Sequence, residues 1–204
     1  MDHTSTQAAD PSPGGPSARS MMGVRGDGLV TLRQYTRPDE ITGESVRDLV
    51  DCWIAVTNTG GAAGFPFPPV DTAQVTPVAD RIIATLDPER SRLLVASLDD
   101  MLAGWMHIRR DLDPLVAHWG SVHHVQSHPL RRGRGIGSAL MEEARRIARE
   151  EMRLEQLRLT ARAGVGLEAF YTRLGWQEIG RWPKALRLSA DDDRDEILMV
   201  LAPL

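Results

Sequence analysis

Between Val125 and Met141 the chain reads Val-Gln-Ser-His-Pro-Leu-Arg-Arg-Gly-Arg-Gly-Ile-Gly-Ser-Ala-Leu-Met. A strand ends here, a basic glycine-rich turn follows, and an amphipathic helix begins at once. Over the helix expected at 135–152, Ile136, Ala139, Leu140, Ala144 and Ile147 form an apolar stripe, and Glu142 sits one turn from Arg146 on the outer face. Glycines at 133, 135 and 137 let the backbone approach a ligand with no Cβ in the way. The first-turn N–H groups have no partner inside the helix and lie at the positive end of its dipole. That is a place for a phosphate or pyrophosphate, and Arg131, Arg132 and Arg134 add charge-assisted hydrogen bonds.

The rest of the chain places this unit in a larger pattern. Residues 1–27 are dominated by Ser, Thr, Pro, Gly, Ala and Gln and read as a disordered tail, so the folded domain is expected to span 28–204. Leu29–Tyr35 reads as a strand, and 43–57 as a helix with Val46, Leu49, Val50 and Trp53 at helical spacing. A loop rich in Gly and Pro covers 60–69, and a second helix, with Asp71 as its N-cap, covers 71–86. Strands follow at Ser91–Ser97, Leu102–Arg109 and Val116–Ser127. Beyond the helix at 135–152 come a strand at Gln156–Thr160, a helix at Gly166–Leu174, and strands at Trp176–Trp182 and Glu196–Leu201. The order β-α-α-β-β-β-α-β-α-β-β predicts a mixed α/β (α+β) domain with a central sheet flanked by helices.

Composition removes several functions. No run of eighteen apolar residues is present, and the N-terminus lacks the apolar stretch of a signal peptide, so a cytoplasmic protein with no membrane role is expected. A single cysteine, Cys52, excludes an internal disulfide framework and a multi-cysteine zinc site. On an amphipathic helix Cys52 reads as a packed small side chain. The net charge of −4 argues against a surface built for nucleic acid. His118, His123, His124 and His128 lack the spacing of a metal site, and no metal is expected.

The basic turn has no Gly-Lys-Ser/Thr and does not follow Gly-x-Gly-x-x-Gly. Instead, Arg132-x-x-Gly135-x-Gly137 resembles the acetyl-CoA signature of the GNAT N-acetyltransferase superfamily. Gly166–Gly180 resembles its second hallmark, a short helix carrying Ala169-x-Tyr171-x-x-x-Gly175-Trp176. Within the superfamily, the Gly60-Gly61-Ala62-x-Gly64-Phe65 loop and Glu168-Ala169-Phe170-Tyr171 are closest in pattern to the tabtoxin-resistance acetyltransferases.

The resemblance implies a site. Backbone groups of Val125 and Ser127 would hold the pantetheine and acetyl carbonyl, and the loop of Arg132, Gly133, Arg134, Gly135, Ile136, Gly137 and Ser138 would hold the pyrophosphate. Tyr171 would protonate the leaving thiolate. Acyl transfer also needs the amine to lose a proton. Many members carry a glutamate for this where Ser121 stands, and the tabtoxin-resistance pattern has an aspartate where Thr160 stands. Strand alternation puts His123 on the same face as Ser121 and His124 on the opposite one, so His123 is the candidate proton acceptor. Phe65 and Phe67 are candidates for an acceptor-pocket wall.

The expected activity is acetyl-CoA-dependent N-acetylation of a primary amine on a small molecule, with antibiotics and toxins among the eligible acceptors. The competing readings are a non-catalytic acyl-CoA-binding or sensing module, and a protein N-terminal or lysine acetyltransferase. A homodimer is left open.

Overall fold

In the computed structural model, which describes residues 23–24, 29–61 and 64–204, the expected alternation of elements is present. In chain order the elements are β1 (Gly23–Val24), β2 (Leu29–Tyr35), α1 (Gly43–Asn58), α2 (Thr72–Ala84), β3 (Ser91–Leu98), β4 (Met101–Arg110), β5 (Trp119–Ser127), α3 (Ile136–Glu150), β6 (Gln156–Arg162), α4 (Leu167–Arg173), β7 (Gln177–Ser189) and β8 (Asp192–Leu201). Except for Gly23–Val24, which pairs with Leu29–Val30, the stretch expected to be a tail lies outside the described residues.

The strands of the described residues form one sheet in the order β1-β2-β3-β4-β5-β6-β8-β7. Every neighbouring pair is antiparallel except β5 and β6. Side chains alternate across the sheet, so each face builds its own core. On one face Met106, Ile108, Val122, Leu157, Leu159 and Ile197 pack under the stripe of α3 and under Tyr171 of α4. On the other, Leu93 and Trp105 pack against Leu49, Trp53 and Val56 of α1 and Val75 and Ala79 of α2. Burying a side chain the size of Leu or Val contributes about 1.5–3 kcal/mol before ordering costs are counted.

Local chemistry explains where the helices begin. The Thr42 hydroxyl accepts the Ser45 N–H at 3.2 Å to start α1. Asp71 and Gln74 exchange hydrogen bonds at 3.1 Å to start α2, as Asp71 was expected to. The loop between these helices is clamped by Asn58, whose side chain donates to the Val70 carbonyl at 2.9 Å and accepts its N–H at 2.7 Å.

Three expectations change. Arg146 does not pair with Glu142; it bonds Glu143 at 2.7 Å, Glu150 at 3.2 Å and Glu151 at 2.8 Å. Strand β5 starts at Trp119 rather than Val116, because the Asp113 carbonyl accepts the N–H groups of Val116 and Ala117 and holds them in a turn. The last hairpin is longer than expected, with β7 running through Pro183 to Ser189. Strand β7 lies at the sheet edge, where a missing N–H costs no ladder bond, and ion pairs such as Arg187–Asp193 at 2.8 Å hold its far end.

Candidate active site

Parallel pairing of β5 and β6 covers only Trp119–Ser121 against Gln156–Arg158. Beyond Ser121 the two strands part, leaving the backbone edge of Val122–Ser127 without a strand partner on that side. A buried backbone edge needs hydrogen-bond partners, so such a slot suits an extended ligand that takes the place of a strand. The slot opens into a cavity of about 920 Å³ lined by β5, β6, the loop before α3, α4, the α1–α2 loop and the β7–β8 hairpin.

One irregularity sets which side chains face it. Between His107 and Trp105 there are two steps on β4, but their partners His123 and Gln126 are three steps apart on β5. The extra residue is a β-bulge, and His124 carries it with φ of 55°. A bulge reverses the alternation beyond it. His124 therefore does not lie opposite His123, as alternation predicted. Its ring packs on Trp53 at 4.8 Å and stacks on Trp105 at 5.5 Å, on the α1 side, with the His123 ring 6.2 Å away.

Electrostatics keep these rings neutral. Burial pulls His107 down to about 3 and His124 to about 4, and neighbouring histidines push the same way. His123 is also lowered, by burial first and then by Arg109 and Arg158. A neutral imidazole is the form that accepts a proton. Ser121 is otherwise occupied: its hydroxyl takes the Arg158 Nε–H at 3.0 Å, and that guanidinium lies 3.6 Å over the Trp119 ring.

At the other end, Gly135 caps α3 with φ of 79°, and Gly133 shares that left-handed conformation at 78°. A Cβ on either would meet no protein atom within 4 Å, so the glycines leave room for a ligand. The first helical bond runs from the Ala139 N–H to the Gly135 carbonyl at 2.9 Å, which frees the N–H groups of Ile136, Gly137 and Ser138. With Arg131 and Arg132 on the cavity wall, this cradle fits a pyrophosphate by charge and by space.

The structure brings together His123, Val125, Ser127, Arg132, Gly133, Gly135, Ile136, Gly137, Ser138 and Tyr171 around the cavity; Arg134 is not on its wall. Phe65 lines the cavity and packs edge-on against Trp53 at 5.1 Å, whereas Phe67 does not line it and is exposed. Burial raises the Tyr171 phenol pKa, so the proton stays on Oη at neutral pH. Cys52 is buried and its thiol is pushed up to about 12, far from a nucleophile's range.

Sequence reasoning missed Gln126, Arg162 and Glu196 on the wall. The side-chain amide of Gln126 is buried with both ends unpartnered, and its position depends on the bulge. For Arg162, alternation from Thr160 was an available signal. For Glu196, which arrives from a strand far along the chain, no local pattern exists.

Comparison with known proteins finds likenesses of one kind. Residues 89–178 match the acetyltransferase (GNAT) domain family. Over 80 residues the chain is 38% identical to mycothiol acetyltransferase of Thermomonospora curvata, a match covering 39% of this chain and 26% of that one. The chain thus spans about a quarter of that relative's length. The fold is similar to that of a GCN5-related N-acetyltransferase from Kribbella flavida, with TM-score 0.67 and 18% identity over 86% of this chain and 98% of that one. A candidate phosphinothricin N-acetyltransferase gives TM-score 0.68 at 18% identity over 85% and 98% of the two chains. A candidate acetyltransferase of Salmonella typhimurium, yncA, solved with acetyl-CoA, gives 0.62 at 15% over 85% and 93%. The likeness to the GNAT acetyltransferase domain in sequence thus lies in residues 89–178, from the start of β3 to the start of β7.

Proposed function

We propose that this protein is an acetyl-CoA-dependent N-acetyltransferase acting on the primary amine of a small molecule. The observation that carries this reading is the slot between β5 and β6, with a glycine-rich helix start at one end and the Tyr171 phenol on its wall. Bound there, acetyl-CoA supplies an acetyl thioester, a carbonyl open to attack by an amine. The N–H groups of Ile136, Gly137 and Ser138, with Arg131 and Arg132, hold the pyrophosphate. Backbone groups of Val125 and Ser127 hold the extended arm and polarise the carbonyl oxygen.

Proton movement falls to side chains. As the new C–N bond forms and the C–S bond breaks, Tyr171 Oη gives its proton to the sulfur. An acceptor bound as its ammonium first gives one proton to solvent; the neutral nitrogen that then attacks loses another, which the neutral His123 ring receives, directly or through water. Returning that proton to the Tyr171 phenolate closes the cycle with a free thiol and an amide as products.

No helix among the described residues is long and apolar enough to cross a membrane. The test is a panel of primary amines with acetyl-CoA, read as thiol release. Turnover with at least one small amine is expected. Tight acetyl-CoA binding with no turnover of any amine would instead favour a non-catalytic sensing module.

A further inference from the structure

Arg162 on β6 and Glu196 on β8 are register partners, directly opposite each other across an antiparallel pair. Opposite charges so placed ordinarily join. These two do not. The Arg162 guanidinium turns away to donate to the Gly60 carbonyl at 2.6 Å, and its Nε is buried without a partner. The Glu196 carboxylate forms no hydrogen bond or ion pair among the described residues, while nearby Arg187 and Arg194 are held by Asp193 and Asp192. Both Arg162 and Glu196 line the cavity, and Glu196 is the one carboxylate among its described lining residues.

Their place in the fold separates them from the phosphate cradle. Leu159, Ala161 and Ile197 belong to the core under α3. By alternation, Arg162 and Glu196 lie on the other face, toward α1, where the Gly60 contact also puts Arg162. His123 and Gln126 share that face.

We infer that Arg162 and Glu196 form a two-charge acceptor site, in which Glu196 receives the acceptor's ammonium and Arg162 an anionic group on the same molecule. The site thus selects amines that also carry a carboxylate or similar acid. The inference rests on the acetyltransferase reading for its use of an amine, and on the unjoined charge pair for the second group. Elsewhere the charged side chains of the cavity wall are arginines, which repel an ammonium, so a cationic amine has Glu196 alone to approach.

The test uses calorimetric binding of matched probes to the full chain saturated with CoA. The probes are the common L-amino acids and their primary amides, equal in amine and side chain but different in the acid. Acids are expected to bind at least tenfold more tightly than the matching amides. Arg162→Gln should erase that preference and Arg162→Lys should restore part of it. Glu196→Gln should weaken acids and amides alike by tenfold or more while CoA affinity stays unchanged. Amides binding as tightly as acids, no binding by any acid-bearing probe, or wild-type binding by Glu196→Gln would overturn the site. Thiol release measured in parallel separates the two claims. Charge-dependent binding without turnover leaves this site standing and removes the catalytic reading; turnover indifferent to both residues does the reverse.

Discussion

Tyr171 sits at the point where packing and chemistry can be separated. Its ring packs on Phe170 at 5.1 Å and Trp176 at 6.0 Å, yet its hydroxyl makes no hydrogen bond to another described residue. Tyr171→Phe should therefore leave stability and acetyl-CoA affinity nearly unchanged and lower kcat by about a hundredfold, the usual scale of a lost general acid. Full activity in that variant would remove the acid assignment. For His123, a pKa lowered by burial and two arginines means the ring is neutral at pH 7 and charges only as pH falls below the ordinary value of 6.5. The acid limb of the pH–rate profile should lie below that value and disappear in His123→Ala. His107 and His124 have a different consequence. Their folded-state values, about 3 and about 4, lie below the unfolded value of 6.5, so the unfolded chain binds protons that the folded chain refuses. Stability is complete above about pH 6.5 and declines as pH falls toward those values, by about 1.4 kcal/mol per pH unit for each ring. Between pH 7 and 5 each histidine should cost about 2 kcal/mol. Denaturant midpoints across that range check this, and His124→Phe, which keeps a ring against Trp53, should flatten the decline.

Among the elements, the turn into α3 was the most legible from residues alone, since glycines and arginines at fixed spacing carry both the conformation and the charge. Replacing Gly135 with Val tests this link. The φ of 79° is strained for a β-branched residue, and the added side chain enters the space left open above the helix start. The thermal shift induced by acetyl-CoA should largely vanish; an undiminished shift would place the ligand elsewhere. The helices and the antiparallel meander were equally readable, because their apolar periods are long and local. The bulge at His124 was not. One extra residue in β5 leaves no mark on hydrophobicity when the residues involved are polar, so simple alternation sent that ring to the wrong face. The length of β7 was hidden for a related reason: a proline reads as a strand end, and only the edge position makes it tolerable. Arg162 and Glu196 meet through pairing of strands distant in sequence, which periodicity within one element does not encode.

Across the whole molecule, acetyl-CoA should act as a brace, because the cavity draws its wall from both sides of the sheet and from six separate segments. A ligand at a hundredfold excess over its Kd adds about 2.7 kcal/mol to folding stability, so unfolding by denaturant should shift by that amount. The α1–α2 loop and the last hairpin meet where the Phe67 N–H donates to the Leu188 carbonyl at 3.1 Å, tying the α1 side of the cavity together. The parted strands β5 and β6 leave a passage through the sheet: its α3 side offers the glycine cradle, while its α1 side offers Arg162 and Glu196. Two substrates that enter by different doors need not wait for one another to leave. With Cys52 sealed in the core, no residue of that type stands ready to carry the acetyl group between them. Initial-velocity plots against either substrate should accordingly converge, as they do when both must be present at once. Parallel lines would mean that the acetyl group rests on the protein between two visits.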